Sequence, residues 1–227
     1  MMRKKLIATD YDGTFYRNHV LDPADLAAVA AWRAAGGLFG FVTGRGVDFF
    51  DTAKEEGLEA DFFILYNGAL LADGAGRTLK EYLIPRDTFA ALCETFRAMP
   101  DVKNFDAPDE RPFYHQYYAR FETPEQALAA AETANRRFGD RVTAFVNGEH
   151  VNIGRKGSSK TQGVFDALAY FGLPADAAAV FGDDYNDLDM IVAHNGWAVD
   201  SARPAVLEKA PHVCRLVGEA AFSLLGR

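Results

Sequence analysis

The chain has 227 residues, of which 49% are hydrophobic and 25% are charged, and its formal net charge is -8. These values are typical of a globular protein built as one large domain, or as one domain that carries a smaller insert. The negative charge, without any block of lysines or arginines, argues against nucleic acid or an anionic membrane surface as a partner.

The start of the chain and its cysteines indicate a cytoplasmic location. Residues 1–5 are basic, but the apolar stretch behind them, Leu6–Ala8, is too short for a secretory signal. No apolar run approaches the ~20 residues that a membrane-spanning helix needs. Cys93 and Cys214 are far apart and form no CxxC pair, so we expect neither a disulfide framework nor a zinc site.

The first part of the chain alternates short apolar strands with helices. Strands are predicted over residues 6–9, 38–42 and 62–66, and helices over residues 23–35 and 47–56. The first helix begins with the N-cap Asp22 and a proline, and Gly36 ends it. This alternation indicates a parallel sheet that is covered on both faces. Residues 70–83 then predict a hairpin with its turn at Asp73–Gly76.

The pattern changes from about Pro85. A helical face over residues 89–99 is followed by strand-like runs at 102–105 and 113–118, a helix at 124–138, and strands at 142–146 and 150–153. Helix, two strands, helix, two strands is an α+β unit of its own, with the size of a small cap domain. We assign residues 85–154 to this insert, and residues 1–84 with 155–227 to the core.

The run of residues 113–118 is the most conspicuous part of the insert. On one continuous strand, alternate side chains would share a face. One face would hold Phe113, His115 and Tyr117, and the other would hold Tyr114, Gln116 and Tyr118. One face is expected to pack on the helices of the insert. Whether the other contacts substrate or only serves the small core stays open, as does the role of His115.

The alternation of strands and helices resumes at Ser158. A helix is predicted from Lys160 to Phe171, and a strand from Ala177 to Phe181 that runs into the acidic segment Gly182–Asp187. A helix from about residue 188, a strand near 196–199, a helix after residue 204 and a strand near 212–214 complete the chain. The fold class is therefore α/β, with a Rossmann-like parallel sheet and a small α+β insert.

Polar side chains follow four strands of the predicted parallel sheet. They are Asp10 and Asp12, Thr43, Asn67, and Asp183 with Asn186 and Asp187. Ligands of open α/β sheets bind outside the carboxyl ends of the strands, so these side chains can converge. Asp10 and Asp183 offer the hard oxygen ligands that suit Mg²⁺ beside a phosphate. Thr43, with the amide of Gly44, can donate to a phosphate oxygen.

Lys160 and a bound Mg²⁺ would balance the charge of such a site. Two unit charges ~4 Å apart repel by about 4 kcal/mol at an effective dielectric of roughly 20, so a phosphate dianion beside two carboxylates needs compensation. Lys160 begins a helix, whose N-terminus adds to its charge. A carboxylate that attacks phosphorus gives an aspartyl phosphate, and a second carboxylate two residues on could serve as acid and base.

Together these residues resemble the haloacid dehalogenase superfamily of phosphohydrolases, and more narrowly its Cof-type class IIB branch. Four segments spread over nearly the whole chain carry the resemblance: Asp10–Thr14, Val42–Arg45, Lys160, and Gly182–Asp187 with Met190. Residues 67–69 and 196–199 also fall where that branch has similar segments. The insert is short for the branch, and Phe15 stands where the family usually has leucine, which we interpret as packing.

The resemblance implies the roles of the strand-end residues. Asp10 would be the nucleophile and Asp12 the general acid and base. Mg²⁺ would be held by Asp10, by the backbone carbonyl of Asp12 and by Asp183. The residues implied for phosphate binding are Thr43, Gly44, Lys160 and Asn186, with Asn67 and Asp187 in support. Arg45 could steady phosphate or pair with a carboxylate, and its role is left open.

These inferences predict a Mg²⁺-dependent phosphatase acting on a small phosphorylated metabolite, with a sugar phosphate favoured. One alternative is a phosphomutase or another phosphotransferase of the same fold. A second is a phospholigand-binding protein that has lost turnover, although the intact set of Asp10, Asp12, Lys160 and Asp183 speaks against it. The sequence leaves the oligomeric state open.

Overall fold

The computed structural model describes residues 5–226, so the basic start of the chain at residues 1–4 and residue 227 lie outside the described part. The chain forms two compact units. The larger contains the residues up to Lys80 and those from Lys160 onward, and the smaller is Glu81–Ser159. Among residues 5–226, none of the helices combines the length and apolar character needed to cross a lipid bilayer.

The described residues contain strands and helices in the following order. The strands are β1 Leu6–Thr9, β2 Tyr16–Arg17, β3 Val20–Leu21, β4 Leu38–Val42, β5 Phe62–Leu65, β6 Leu70–Asp73, β7 Thr78–Glu81, β8 Ile84–Pro85, β9 Asn104–Phe105, β10 Phe113–Tyr114, β11 Gln116–Arg120, β12 Val142–Asn147, β13 His150–Arg155, β14 Ala178–Gly182, β15 Trp197–Val199 and β16 His212–Cys214. The α-helices are α1 Pro23–Ala34, α2 Phe49–Glu55, α3 Arg86–Arg97, α4 Pro124–Phe138, α5 Lys160–Tyr170, α6 Leu188–Ala193, α7 Pro204–Lys209 and α8 Val217–Leu225. Three short 3₁₀ turns lie at Tyr66–Gly68, Ala175–Ala177 and Tyr185–Asp187.

The larger unit is organised around an eight-stranded sheet with the order β16-β15-β14-β1-β4-β5-β6-β7. The strands from β16 to β5 pair in parallel, and β6 pairs antiparallel with β5. The predicted parallel sheet is thereby confirmed. Thr9 at the end of β1 lies opposite both Phe41 and Phe181. The chain segments that follow β1, β4 and β14 therefore leave the sheet at the same edge.

Each central strand is almost entirely apolar because both of its faces are covered. In β1, Ile7 joins an apolar cluster with helices α1 and α8, whereas Leu6 and Ala8 join a second cluster with α5. Phe15 is 1% exposed and packs against Phe39 and Phe41, with ring centroids 5.7 and 5.4 Å apart, in line with its interpretation as a packing residue. These two apolar layers hold the strand ends rigidly in place.

The smaller unit has a four-stranded antiparallel sheet with the order β12-β13-β11-β9. Helices α3 and α4 contribute to a single apolar core with one face of this sheet. Helix α4 begins as the sequence indicates, because Thr123 and Gln126 form a reciprocal capping box. Side chains on the other face of the sheet, among them Tyr118 and Asn152, stay partly exposed.

The predicted alternation of faces along residues 113–118 is wrong. A bend at His115 separates β10 from β11, and β10 pairs with β8 instead of the main sheet of this unit. Tyr114 and Tyr117 are both buried in the core of the smaller unit, whereas Phe113 is 51% exposed. The prediction assumed one unbroken strand, and a single bend is enough to shift the side chains beyond it to the opposite face.

Candidate functional site

Lys160 joins two carboxylates at the carboxyl edge of the larger sheet. Its ammonium Nζ donates to Asp10 Oδ1 and to Asp187 Oδ1, each at 2.6 Å. Asp10 directly follows β1, Lys160 is the first residue of α5, and Asp187 ends the turn after β14. The three side chains are only 2%, 6% and 1% exposed for Lys160, Asp10 and Asp187. Residues far apart in sequence thus meet in a buried ionic cluster. The strand-end argument predicts that Asp10 and Asp187 can converge, and the start of α5 adds Lys160 to them.

The protonation of this cluster reflects its burial and its excess of carboxylates. Burial raises the pKa of Asp10 well above its ordinary value, and the charges of Asp187 and Asp183 act in the same direction against Lys160. Although burial disfavours a charged ammonium, the carboxylates of Asp10 and Asp187 raise the pKa of Lys160. Lys160 is therefore a permanent cation, and without a further cation the site favours uptake of a proton on its carboxylates.

Asp183 reaches the same place from the end of β14. Its Oδ1 accepts a hydrogen bond of 2.6 Å from the hydroxyl of Thr14. Burial is the main cause that raises the pKa of Asp183 to about 6. Gly13 has a φ of +90°, and a Cβ built on it would lie 2.4 Å from Asp183 Oδ2. A glycine is needed here both for the left-handed backbone and for the close approach of the carboxylate.

Asp187 organises the acidic segment as well as binding Lys160. Its Oδ2 accepts from the backbone amides of Asp183 at 3.1 Å and Asp184 at 3.2 Å. Gly182 allows this arrangement, since a Cβ there would lie 2.4 Å from Cβ of Asp187. Both oxygens of Asp187 are therefore engaged in holding other groups. The supporting role that the resemblance implies for Asp187 stays a prediction.

The carboxylates of this edge could hold a divalent cation. Asp10, Asp183 and Asp187 can each offer one oxygen, with all three ligand atoms within 4.8 Å of one another. An all-oxygen, buried and anionic donor set fits Mg²⁺. Since both oxygens of Asp187 already accept hydrogen bonds, Asp10 and Asp183 are the stronger candidates as ligands. The predicted contribution of the Asp12 backbone carbonyl stays a prediction.

Thr43 lies at the end of β4, beside these carboxylate-bearing strand ends. It is 1% exposed, and its amide donates to the carbonyl of Ile64 in β5 at 2.9 Å. Its hydroxyl oxygen accepts from the amide of Arg45 at 3.1 Å. The hydroxyl hydrogen can still be donated to a ligand. The following Gly44 approaches Asn67 closely, since a Cβ on Gly44 would lie 3.1 Å from Asn67 Nδ2.

Asn67 connects the loop after β4 with the acidic segment after β14. Its amide donates to the carbonyl of Thr43 at 3.0 Å, and its side-chain Oδ1 accepts from Asn186 Nδ2 at 3.2 Å. Asn67 is 4% exposed and has a left-handed φ of 54°. Strained backbone of this kind persists only where the surrounding contacts fix it, and it is concentrated at functional sites. The predicted residues Thr43, Asn67 and Asn186 are thus neighbours.

Arg45 pairs with Asp12, which resolves one choice that the sequence left open. Its Nε donates to Asp12 Oδ2 at 2.7 Å and its Nη2 to Asp12 Oδ1 at 2.6 Å, a bidentate pair. The guanidinium also lies over the ring of Tyr11, 4.9 Å from its centroid. His115, the other residue left open, lies in the smaller unit with its Nε2 2.9 Å from Glu81 Oε1.

Two contacts of the site were not anticipated from the sequence. The hydroxyl of Thr14 orients Asp183, and Tyr66 contacts the loop that carries Thr43 and Arg45. Thr14 could have been suspected, since it ends the first acidic motif. Tyr66 gives no signal in the sequence, because it follows an apolar strand as one more aromatic residue.

Comparison with known proteins places the chain in a fold family. The family model for haloacid dehalogenase-like hydrolase matches residues 7–103 and 94–222. A haloacid dehalogenase-like hydrolase from Bacillus subtilis has a TM-score of 0.84 at 18% identity, covering 97% of this chain and 99% of that one. A Streptococcus mutans protein has a TM-score of 0.85 at 16% identity, with coverage of 99% and 100%. A sugar phosphatase of haloacid dehalogenase subclass IIB has a TM-score of 0.76 at 19% identity, with coverage of 97% and 100%. No significant match is found among curated protein sequences.

We expect Gly13→Ala to weaken Mg²⁺ binding by about tenfold or more, because the new methyl group displaces a candidate ligand, Asp183. Gly36→Ala is the matched control. Gly36 has a similar φ of +82° but nothing within 4 Å of the position of a Cβ. Titration calorimetry with MgCl₂ compares both variants with the wild type. Equal Mg²⁺ affinity in the two variants would show that the contact with Asp183 does not matter.

The pKa of Asp183 predicts a pH dependence of stability in the metal-free protein. A carboxyl with a pKa of about 6 in the folded chain, against roughly 4 in the unfolded chain, stabilises the fold below pH ~4 and loses this contribution as pH rises through ~6. Relative to Asp183→Asn, the wild type should lose about 2 kcal/mol of unfolding free energy over this interval. Urea unfolding in EDTA measures both proteins, and parallel profiles would contradict the assignment.

Proposed function

The chain belongs to the haloacid dehalogenase-like hydrolase family, and from this premise we propose that it is a Mg²⁺-dependent phosphatase acting on small phosphorylated metabolites. The observation that carries the proposal is the buried bridge of Lys160 between Asp10 and Asp187. A buried cation fixed between two carboxylates, with a third carboxylate, Asp183, close by, suits a site that accepts a phosphoryl group beside a nucleophile.

Asp10 is the proposed nucleophile. Lys160 holds its Oδ1, so attack on phosphorus is assigned to its other carboxylate oxygen. The new bond joins this oxygen to phosphorus, and the bond from phosphorus to the ester oxygen of the substrate breaks. Water then attacks the phosphorus of the aspartyl phosphate, which releases inorganic phosphate and regenerates Asp10.

Asp12 is the proposed acid and base. In the first step it gives a proton to the departing ester oxygen, and in the second it takes a proton from the attacking water. Asp12 is two residues beyond Asp10 on the same strand end, and its carboxylate is half exposed. An exposed carboxylate can exchange protons with solvent between the two steps. Arg45 fixes its orientation through two hydrogen bonds.

The phosphoryl group is proposed to be held by Thr43, the Gly44 amide, Lys160 and Asn186. Thr43 has a hydroxyl hydrogen to donate, and Lys160 brings a permanent positive charge. When bound, Mg²⁺ would neutralise part of the charge on the phosphoryl oxygens and on the carboxylates of Asp10 and Asp183. Asn67 and Asp187 hold the loop after β4 and the acidic segment after β14 in position through the contacts described above.

The smaller unit is proposed to act as the cap that selects the leaving group. The face of its sheet that turns away from α3 and α4 carries side chains that form hydrogen bonds with one another. Gln116 Nε2 donates to Asn152 Oδ1 at 3.0 Å, and the hydroxyl of Tyr118 lies 2.7 Å from His150 Nδ1. Mixed donors and acceptors of this kind suit a hydroxyl-rich group. Together with the similarity to a sugar phosphatase, this favours a sugar phosphate.

Asp10→Asn should abolish Mg²⁺-dependent release of phosphate from p-nitrophenyl phosphate, lowering kcat on the order of 10³-fold or more. The amide is isosteric but is not a nucleophile toward phosphorus. Asp189→Asn, an exposed site in the first turn of α6, is the control that removes a charge elsewhere. Full activity of Asp10→Asn would contradict the assignment of Asp10 as the nucleophile. Appearance of the phosphate on a second hydroxyl compound, instead of in water, would identify a phosphotransferase.

Asp12→Ala should reduce activity more on phenyl phosphate than on p-nitrophenyl phosphate. Phenolate is the poorer leaving group and needs a proton, and loss of a general acid typically removes about 10²- to 10⁴-fold in rate. Steady-state kinetics of the variant and the wild type on both esters give the comparison. Equal losses on the two substrates would count against Asp12 as the acid.

A further inference from the structure

The backbone directly after β5 has a positive φ at three successive residues. Tyr66, Asn67 and Gly68 have φ values of 51°, 54° and 97°. Glycine adopts such values freely, but a tyrosine with a positive φ is unusual and unfavourable. Residues in such conformations persist where neighbouring contacts hold them, and they are often functional. Asn67 already has an explanation in its contacts with Thr43 and Asn186, whereas Tyr66 has not.

Tyr66 forms hydrogen bonds to both ends of the segment Arg45–Val47, which lies in the loop after β4. Its amide donates to the carbonyl of Arg45 at 2.9 Å, and its hydroxyl accepts from the amide of Val47 at 3.2 Å. The side chain lies directly against the residue between them, because a Cβ on Gly46 would be 2.7 Å from two ring carbons and from the hydroxyl oxygen of Tyr66. The backbone and the side chain of Tyr66 therefore both fix the position of the segment Arg45–Val47.

The segment that Tyr66 holds carries the arginine that binds Asp12. On its other side, the amide of Arg45 donates to the hydroxyl oxygen of Thr43. Both peptide groups of Arg45 are thereby fixed, so its side chain starts from a defined position. Two parallel hydrogen bonds between a guanidinium and a carboxylate need close angular alignment, which a mobile backbone would not maintain.

We propose that Tyr66 is a positioning residue, which acts through Arg45 to orient the carboxylate of Asp12. This inference rests on the proposed function. It assigns to Tyr66 no contact with substrate, and it accounts for a strained backbone at a tyrosine. The contact of the Tyr66 ring with Gly46 also explains why the loop has a second glycine after Gly44.

The test is Tyr66→Phe, which keeps the ring and removes the oxygen that accepts from Val47. If the carboxylate of Asp12 loses its orientation, the loss should depend on the leaving group. We expect kcat to fall about five- to tenfold on phenyl phosphate and less than twofold on p-nitrophenyl phosphate. Tyr170→Phe, at a 56% exposed position on α5, is the control and should change neither value.

A double-mutant cycle shows whether Tyr66 acts through Arg45. In the Arg45→Ala background, the effect of Tyr66→Phe should disappear, because the side chain that it positions is gone. Gly46→Ala, which pushes against the ring of Tyr66, should reproduce the preference for the better leaving group. Equal losses on both esters, or the same loss with and without Arg45, would overturn the inference. Failure of the wild type to release phosphate from either ester would instead overturn the proposed function.

Discussion

A buried ammonium between two carboxylates is the interaction on which the site depends. Lys160 binds Asp10 and Asp187, and each of the three comes from a different segment that is anchored by the sheet. Removing one partner of such a cluster leaves a buried charge uncompensated, which is far more costly than losing an exposed ion pair. In the proposed function, the same cation would also offset the charge of an anionic ligand. The two ion pairs of Lys160 thus hold three segments of the chain together, and they would also balance charge in the proposed reaction.

The register of the parallel strands makes the ion pairs of Lys160 possible. The strands β1, β4 and β14 run in parallel and end at the same level, so their following residues share one edge. The backbone then turns sharply, and small residues let the loops approach. Gly13 makes room for Asp183, and Gly182 for Asp187. Because close-packed apolar layers lie on both faces of these strands, packing remote from the polar groups fixes the strand ends that carry them.

The sequence allowed most of the fold and the centre of the site to be predicted, since both follow from local patterns. Apolar runs with polar ends indicated the strands, and their parallel arrangement predicted that Asp10, Asp183 and Asp187 can converge. Lys160, at the start of a helix, was expected beside them as the compensating cation. The errors have a different origin. The bend at His115, which places both Tyr114 and Tyr117 in the core, depends on the pairing of β10 with β8. The partner of Arg45 depends on loop geometry, which no periodicity encodes.

The division of the chain into two units has a consequence for how such a protein can change. Every side chain proposed for phosphoryl transfer, from Asp10 to Asp187, belongs to the larger unit, and the smaller unit is one uninterrupted stretch, Glu81–Ser159. Substitutions, insertions or replacement of that stretch alter none of the groups that would carry out the reaction. With the smaller unit as the proposed cap, substrate range could therefore change during evolution while the groups of the reaction stay the same.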